Sequence, residues 1–527
     1  MLSRSLHRLL VLACTLVLAV GCGNGGTEPP KTAVPSDPAV VRTAAGTVRG
    51  AVAQDHRLFA GIPYAAPPIG PLRWQPPTPV HGWPGVRDAT RPGPRCLQDP
   101  GGDPEFGRQT DEDCLTLNVW TPPTSQSGGE RLPVMVWIHG GAFINGSASI
   151  YDARWLASRG DMIVVTVNYR LGTMGFLAHP SLGPPGDVGN YGLADQQAAL
   201  RWVRDNISNF GGDPEMVTLA GESAGGMSVC DHLVAPDSVG LFRAAIIQSA
   251  PCQAQVALPA AVKASLDYAA ELGCGEPHSA AQCLRALPAG KLRDPVWYYH
   301  IGDDALSGPV TGTQRLPVDP MTAFADDRAA RVPVLVGTNR DEFTLFVAMQ
   351  YLRHGEYKPD QYPQLIAETF GEHAAAVEAH YPLQRYGGVP LAYSAAVTDG
   401  VFACPAERMA DAMARTESVY AYEFNDRDAP TPDPLRTLPF PVGASHSLEL
   451  RYLFDVGGAP PLNPAQQVLS DQMIDYWAHF VRNAEPGSQW PAFGTDEKRL
   501  SFQPGGSTVI TDFAESHQCA FWASVKG

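Results

Sequence analysis

The segment GESAG (221–225) sets Ser223 between two glycines, after the small apolar run MVTLA (216–220) and before AGGMSVCDHLV (224–234). A serine becomes a useful nucleophile only when a base takes its proton and donors stabilise the oxyanion it creates. A bare G-x-S-x-G means little in a chain with 52 glycines. Its setting means more. A strand, a turn and a helix in that order form a nucleophile elbow, where Gly221 and Gly225 relieve crowding and the serine is pushed out at the sheet edge. WIHGGAF (137–143) places paired glycines directly after another apolar run. Backbone N–H groups of Gly141 and Ala142, with that of Ala224, can there converge on one oxygen. The base and its orienting acid should follow in the chain order serine, acid, histidine. Of the histidines beyond residue 342, His446 in PVGASHSLELRYLF (441–454) is set at a loop tip by the small residues before it, whereas His373, His380 and His479 lie in helical patterns. For the acid, VPVLVGTNRDEFTLF (332–346) offers Asp341 and Glu342 just past a strand. The residues alone leave both open.

These groups need a frame that presents them together. LPVMVWI (132–138), MIVVTVNY (162–169), MVTLA, AAIIQS (244–249), VPVLVGT (332–338) and VYAYEF (419–424) read as strands. Most are apolar throughout, as strands covered on both faces are. Between them lie amphipathic stretches such as LADQQAALRWVRDNISNF (193–210). Alternating β and α elements predict an α/β fold, a large mostly parallel sheet with helices on both faces. Ligands on such sheets bind beyond the carboxyl ends of the strands.

The chain has 527 residues, 44% hydrophobic and 17% charged, enough for a large core. Its 38 basic and 54 acidic residues give −16, a surface that repels phosphate backbones, so no nucleic-acid partner is expected. Arg4, His7 and Arg8 precede LLVLACTLVLAV, the pattern of a secretory leader over residues 1–21. The leader ends in AVGC, a lipoprotein-type box with Cys22 as the acceptor, although Ala19 stands where leucine is usual. A Gly/Pro-rich tether follows to residue 38, and residues 39–527 form the catalytic domain. Cleavage removes two arginines and no acid, leaving −18. The expectation is an exported, cell-surface lipoprotein, or a secreted protein, touching a membrane only through Cys22. In an oxidising compartment the remaining eight cysteines read as disulfides, since no C-x-x-C pair suggests zinc.

In sequence order, FAGIPYAAPPIGPLRW, DEDCLTLNVW, HGGAF, VNYRLGTMGF, GNYGLADQ, NFGGDP, GESAGG, NRDE, SHSLEL and CAFW resemble the type-B carboxylesterases, the cholinesterase-like family of the α/β-hydrolase fold, over about residues 40–525. The resemblance implies Ser223 as nucleophile, Glu342 rather than Asp341 as acid, and His446 as base. It implies Gly141, Ala142 and Ala224 as the oxyanion hole, and supporting roles for Glu222, Ser249 and Glu449. It also implies disulfides Cys96–Cys114, Cys274–Cys283 and Cys404–Cys519. Cys230 and Cys252 fall outside the family's common pairs. Even parity and their proximity to the elbow suggest a fourth bridge, with two buried thiols as the alternative. Two departures stand out. The family's DEG is DEF here, a bulky residue after the acid. The loop between Cys96 and Cys114 lacks the tryptophan with which cholinesterases hold choline, and Phe106 is its only aromatic.

The expected function is thus hydrolysis of small-molecule carboxylic esters through an acyl-enzyme on Ser223, without metal or cofactor. The rivals are a non-catalytic binding protein on the same scaffold and a lipase or sterol esterase, which needs a large apolar lid that no stretch marks.

Overall fold

The computed structural model describes residues 37–99, 109–123, 130–301 and 304–525. The predicted leader, Cys22, almost all of the tether and Phe106 lie outside the described residues. The compact body runs from Pro38 to Gly527.

Eleven strands form one sheet: β1 (Ala51–Val52), β2 (Arg57–Pro63), β3 (Thr116–Thr121), β4 (Leu132–Ile138), β5 (Ile163–Val167), β6 (Gly212–Glu222), β7 (Ala244–Gln248), β8 (Val334–Asn339), β9 (Val419–Phe424), β10 (Arg499–Phe502) and β11 (Thr508–Ile510). Their order is β11-β10-β9-β8-β7-β6-β4-β5-β3-β2-β1. The run from β5 through β4 and β6 to β10 is parallel. Antiparallel strands close both edges. The sheet is therefore mixed at its margins and parallel where it is buried.

Strand periodicity divides the core. Val134, Val136 and Ile138 of β4 face one cluster, together with Leu193, Leu200 and Val203 of α1 (Tyr191–Asn206) and Met227 and Leu233 of α2 (Ala224–Val234). Met135 and Trp137 face the opposite cluster. α3 (Thr344–His354) follows β8, and α4 (Cys404–Met413) adds Met409 and Met413 to the first face. α5 (Pro464–Asn483) brings Leu469, Ile474, Trp477 and Phe480 to the second. Each such side chain contributes about 1.5–3 kcal/mol on burial. The start of α5 is written in its sequence. Pro464 takes the first helical position, and Asn463 accepts from the backbone N–H groups of Ala465 and Gln466 while the Gln466 side chain reaches back.

Four disulfides join Cys96 to Cys114, Cys230 to Cys252, Cys274 to Cys283 and Cys404 to Cys519. Cys230–Cys252 ties α2 to the segment leaving β7.

Candidate active site

β6 ends at Glu222 and α2 begins at Ala224, so Ser223 alone makes the turn. Its backbone sits at φ 56° and ψ −125°, a conformation that side chains other than glycine's avoid at a cost of about 1–3 kcal/mol. The turn closes only because its flanks are glycines. A Cβ on Gly221 would lie 2.4 Å from the carbonyl carbon of Gly225, and one on Gly225 would lie 2.0 Å from the Ile138 carbonyl oxygen. The strained serine is held by Ser223 N–H donating to Gln248 O (2.9 Å) and Met227 N–H donating to Ser223 O (2.8 Å). It stays partly exposed among buried neighbours.

The glycine turn after β4 lies against this elbow. A Cβ on Gly140 would come within 3.0 Å of Ser223 Cβ. Beyond it Gly141, Ala142 and Phe143 all have positive φ (110°, 51° and 59°). Among the described residues, no acceptor is bonded to the N–H groups of Gly141, Ala142 or Ala224.

Glu342 stands three residues past β8, fully buried, and its Oε2 lies 2.6 Å from His446 Nδ1. The backbone N–H of Asn339 fixes the other oxygen at 2.7 Å. Asp341 goes elsewhere. It receives Arg427 through two bonds of 2.9 and 2.6 Å and the Ala444 N–H at 3.0 Å, so it fastens the histidine loop without reaching the imidazole. His446 Nε2 is buried without a hydrogen-bond partner, and Glu222 Oε1 lies 3.2 Å from it. Glu222 also receives the Ser447 hydroxyl at 2.6 Å. Glu449 accepts from Asn339 Nδ2 (2.6 Å) and Gln248 Nε2 (3.3 Å). Ser249 is buried at φ 49° with its hydroxyl unpartnered.

Three buried carboxyl groups thus surround one imidazole. Burial alone would push His446 down, but Glu222, Glu342 and Glu449 outweigh it and hold the ring up at about 9. Burial, then the charges of Glu222 and Glu342, push Glu449 up to about 8. Burial likewise raises Glu222. In this low-dielectric pocket a positive imidazole is well supported, which is the charge a serine's proton would create.

Sequence reading missed the walls around His446. Phe346 on α3 lies 5.1 Å from the imidazole between ring centroids, and Phe402 lies 5.5 Å away. Phe343, the bulky residue after the acid, is buried against Phe346 and Tyr393. Its bulk therefore supports the wall. Phe346 falls four residues after Glu342, one helical turn, and that spacing could have found it; nothing near His446 in sequence points to Phe402.

The Carboxylesterase family profile matches residues 37–522. The chain is 33% identical to the cocaine esterase of Homo sapiens, over 99% of this chain and 96% of that one. It is 34% identical to the para-nitrobenzyl esterase of Bacillus subtilis (strain 168), over 90% of this chain and 96% of that one. Among solved structures, a thermophilic pNB esterase superposes with a TM-score of 0.79 at 30% identity, over 92% of this chain and all of that one.

Proposed function

Because the chain belongs to the carboxylesterase family and is a serine carboxylesterase acting on small-molecule esters, we propose that Ser223 is its nucleophile, His446 its general base and Glu342 the acid that orients the base. The observation that carries this reading is the 2.6 Å Glu342–His446 bond, beside a strained strand-to-helix serine that lies against a turn whose N–H groups have no acceptor among the described residues. His446 Nε2 takes the hydroxyl proton as Ser223 Oγ attacks the ester carbonyl. Gly141, Ala142 and Ala224 receive the resulting oxyanion, and the Glu342 carboxylate stabilises the imidazolium. His446 then gives its proton to the departing alcohol. Water, deprotonated by the same ring, cleaves the acyl-enzyme to release the acid and free Ser223.

Glu222 and Glu449 support the charge on His446, and Ser249 packs beneath the elbow as a positioning residue. A fluorophosphonate should label Ser223 stoichiometrically. Ser223→Ala, His446→Ala and the double variant should lose similar amounts of kcat, because the groups act as a unit. Losses that multiply in the double variant, or a probe adduct elsewhere, would overturn the assignment.

We further infer export with a lipid anchor at Cys22. Four disulfides suit an oxidising compartment, and the leader-like pattern ends at that cysteine. Cys22→Ala should move the enzyme from the membrane fraction to the soluble one; unchanged membrane association would contradict the anchor.

A further inference from the structure

Behind the acid loop lies a second cavity of about 520 Å³. Asp341 and Gly443 line it, but Ser223 and His446 do not. The size falls within the range that holds a small ligand. Its lining is charged, and the use of each charge can be followed. Asp399 spends one oxygen on His517 Nδ1 (2.6 Å) and the other on the Tyr381 hydroxyl (2.8 Å). Glu423, just behind, takes His517 Nε2 (2.8 Å) and Arg340 Nη1 (3.1 Å). Asp341 is taken by Arg427. These acids are therefore largely taken up by groups of the protein, both bonds to Glu423 falling on Oε1.

The donors are not. Arg340 uses one side-chain N–H on Glu423 and is about a quarter exposed. Arg385 makes a single long bond, 3.4 Å to Gln518 Oε1, with its guanidinium 5.5 Å from the centre of the Tyr386 ring. A guanidinium carries five donors in a fork that matches a carboxylate. His517 is buried between Asp399 and Glu423 and spends both ring nitrogens on them, so the anion-binding donors of the wall are the arginines. Asp428 lies at the exposed rim and opposes an anion there, so recognition falls to the Arg340 and Arg385 side.

We propose that this cavity is a binding site, separate from the ester site, for a small organic carboxylate, which Arg385 and Arg340 receive while Leu391 and Ala395 offer apolar contact to its body. The test is titration calorimetry of the full chain with benzoate, after the ester site has been blocked with a fluorophosphonate. Benzoate should bind one to one, and uncharged benzamide should not. Arg385→Gln should weaken benzoate about tenfold, the loss of one charged hydrogen bond, and Arg340→Gln should also weaken it. Hydrolysis of a neutral ester by Arg385→Gln should stay at the wild-type rate. No benzoate binding to the blocked enzyme, or equal affinity in wild type and both arginine variants, would overturn the proposal. Failure of the probe to label Ser223 would count against the nucleophile instead. The arginine comparison on untreated protein would then still decide the cavity.

Discussion

Glu222→Gln should move the pH profile of hydrolysis toward acid. Glu222 Oε1 lies 3.2 Å from His446 Nε2, with side-chain exposures of 2% and 4%. Of the influences that raise the imidazole's pKa, this charge is the largest. The rise from 6.5 to about 9 corresponds to about 3 kcal/mol in favour of the imidazolium. If Glu222 supplies half of that, removing its charge lowers the His446 pKa by about 1, or ~1.4 kcal/mol. Only the neutral ring accepts the serine proton, so activity climbs as pH rises through that pKa. The wild-type midpoint should lie on the alkaline side of 6.5, and that of Glu222→Gln about one pH unit lower. The assay is kcat/KM for p-nitrophenyl butyrate across this range, because that parameter reports ionisations of the free enzyme. Glu449→Gln is the comparison. Glu449 is itself held up at about 8 and is the weakest of the raising influences, so its variant should move the limb less. A midpoint that stays put in Glu222→Gln, or moves to higher pH, would refute the carboxylate's hold on His446.

Three other outcomes are expected. The chain-entropy relation assigns about 5 kcal/mol to the Cys404–Cys519 closure, spanning 115 residues, and about 2.5 kcal/mol to Cys274–Cys283, spanning 9. Replacing the first pair by alanines should therefore cost about twice the denaturation free energy of replacing the second, and equal losses in a denaturant series would contradict this. His517 is held at about 9, above its ordinary 6.5, by Asp399 and Glu423. Its stabilisation is whole below about pH 6.5 and disappears as pH rises through about 9, so the Tm of the wild type should fall over that interval more than that of His517→Gln; parallel curves would dismiss the effect. Neutral butyrate esters should give higher kcat/KM than butyrylcholine at physiological salt, because the loop between Cys96 and Cys114 has no tryptophan to hold a quaternary ammonium. The reverse order would reveal another cation site.

The buried strands were legible because they are covered on both faces and read as unbroken apolar runs. Leu132–Ile138 and Val419–Phe424 fall where that pattern puts them. β2 and β3, antiparallel and inside the edge strand β1, were not. Arg57–Pro63 and Thr116–Thr121 carry arginine, threonine and asparagine, whose partners come from distant chain, as when Asn118 Nδ2 donates to Thr166 Oγ1. The elbow serine was legible because its strain needs glycines at fixed offsets. The choice between Asp341 and Glu342 was not, since both follow the same strand. Only Arg427 and Ala444, more than eighty residues on, draw Asp341 aside. His517 carries no local signature either, because its two carboxylates stand 118 and 94 residues away.

The bond between Glu342 and His446 spans 104 residues of chain, and that between Glu222 and Ser447 spans 225. Contacts of such separation carry a larger loop-closure entropy than local ones, which must be met before they return anything. A chain with its helices and central strands already assembled would still lack the charge environment that lets His446 accept a proton. On the proposed roles, hydrolysis is therefore a report on whether the most distant segments of the chain have met.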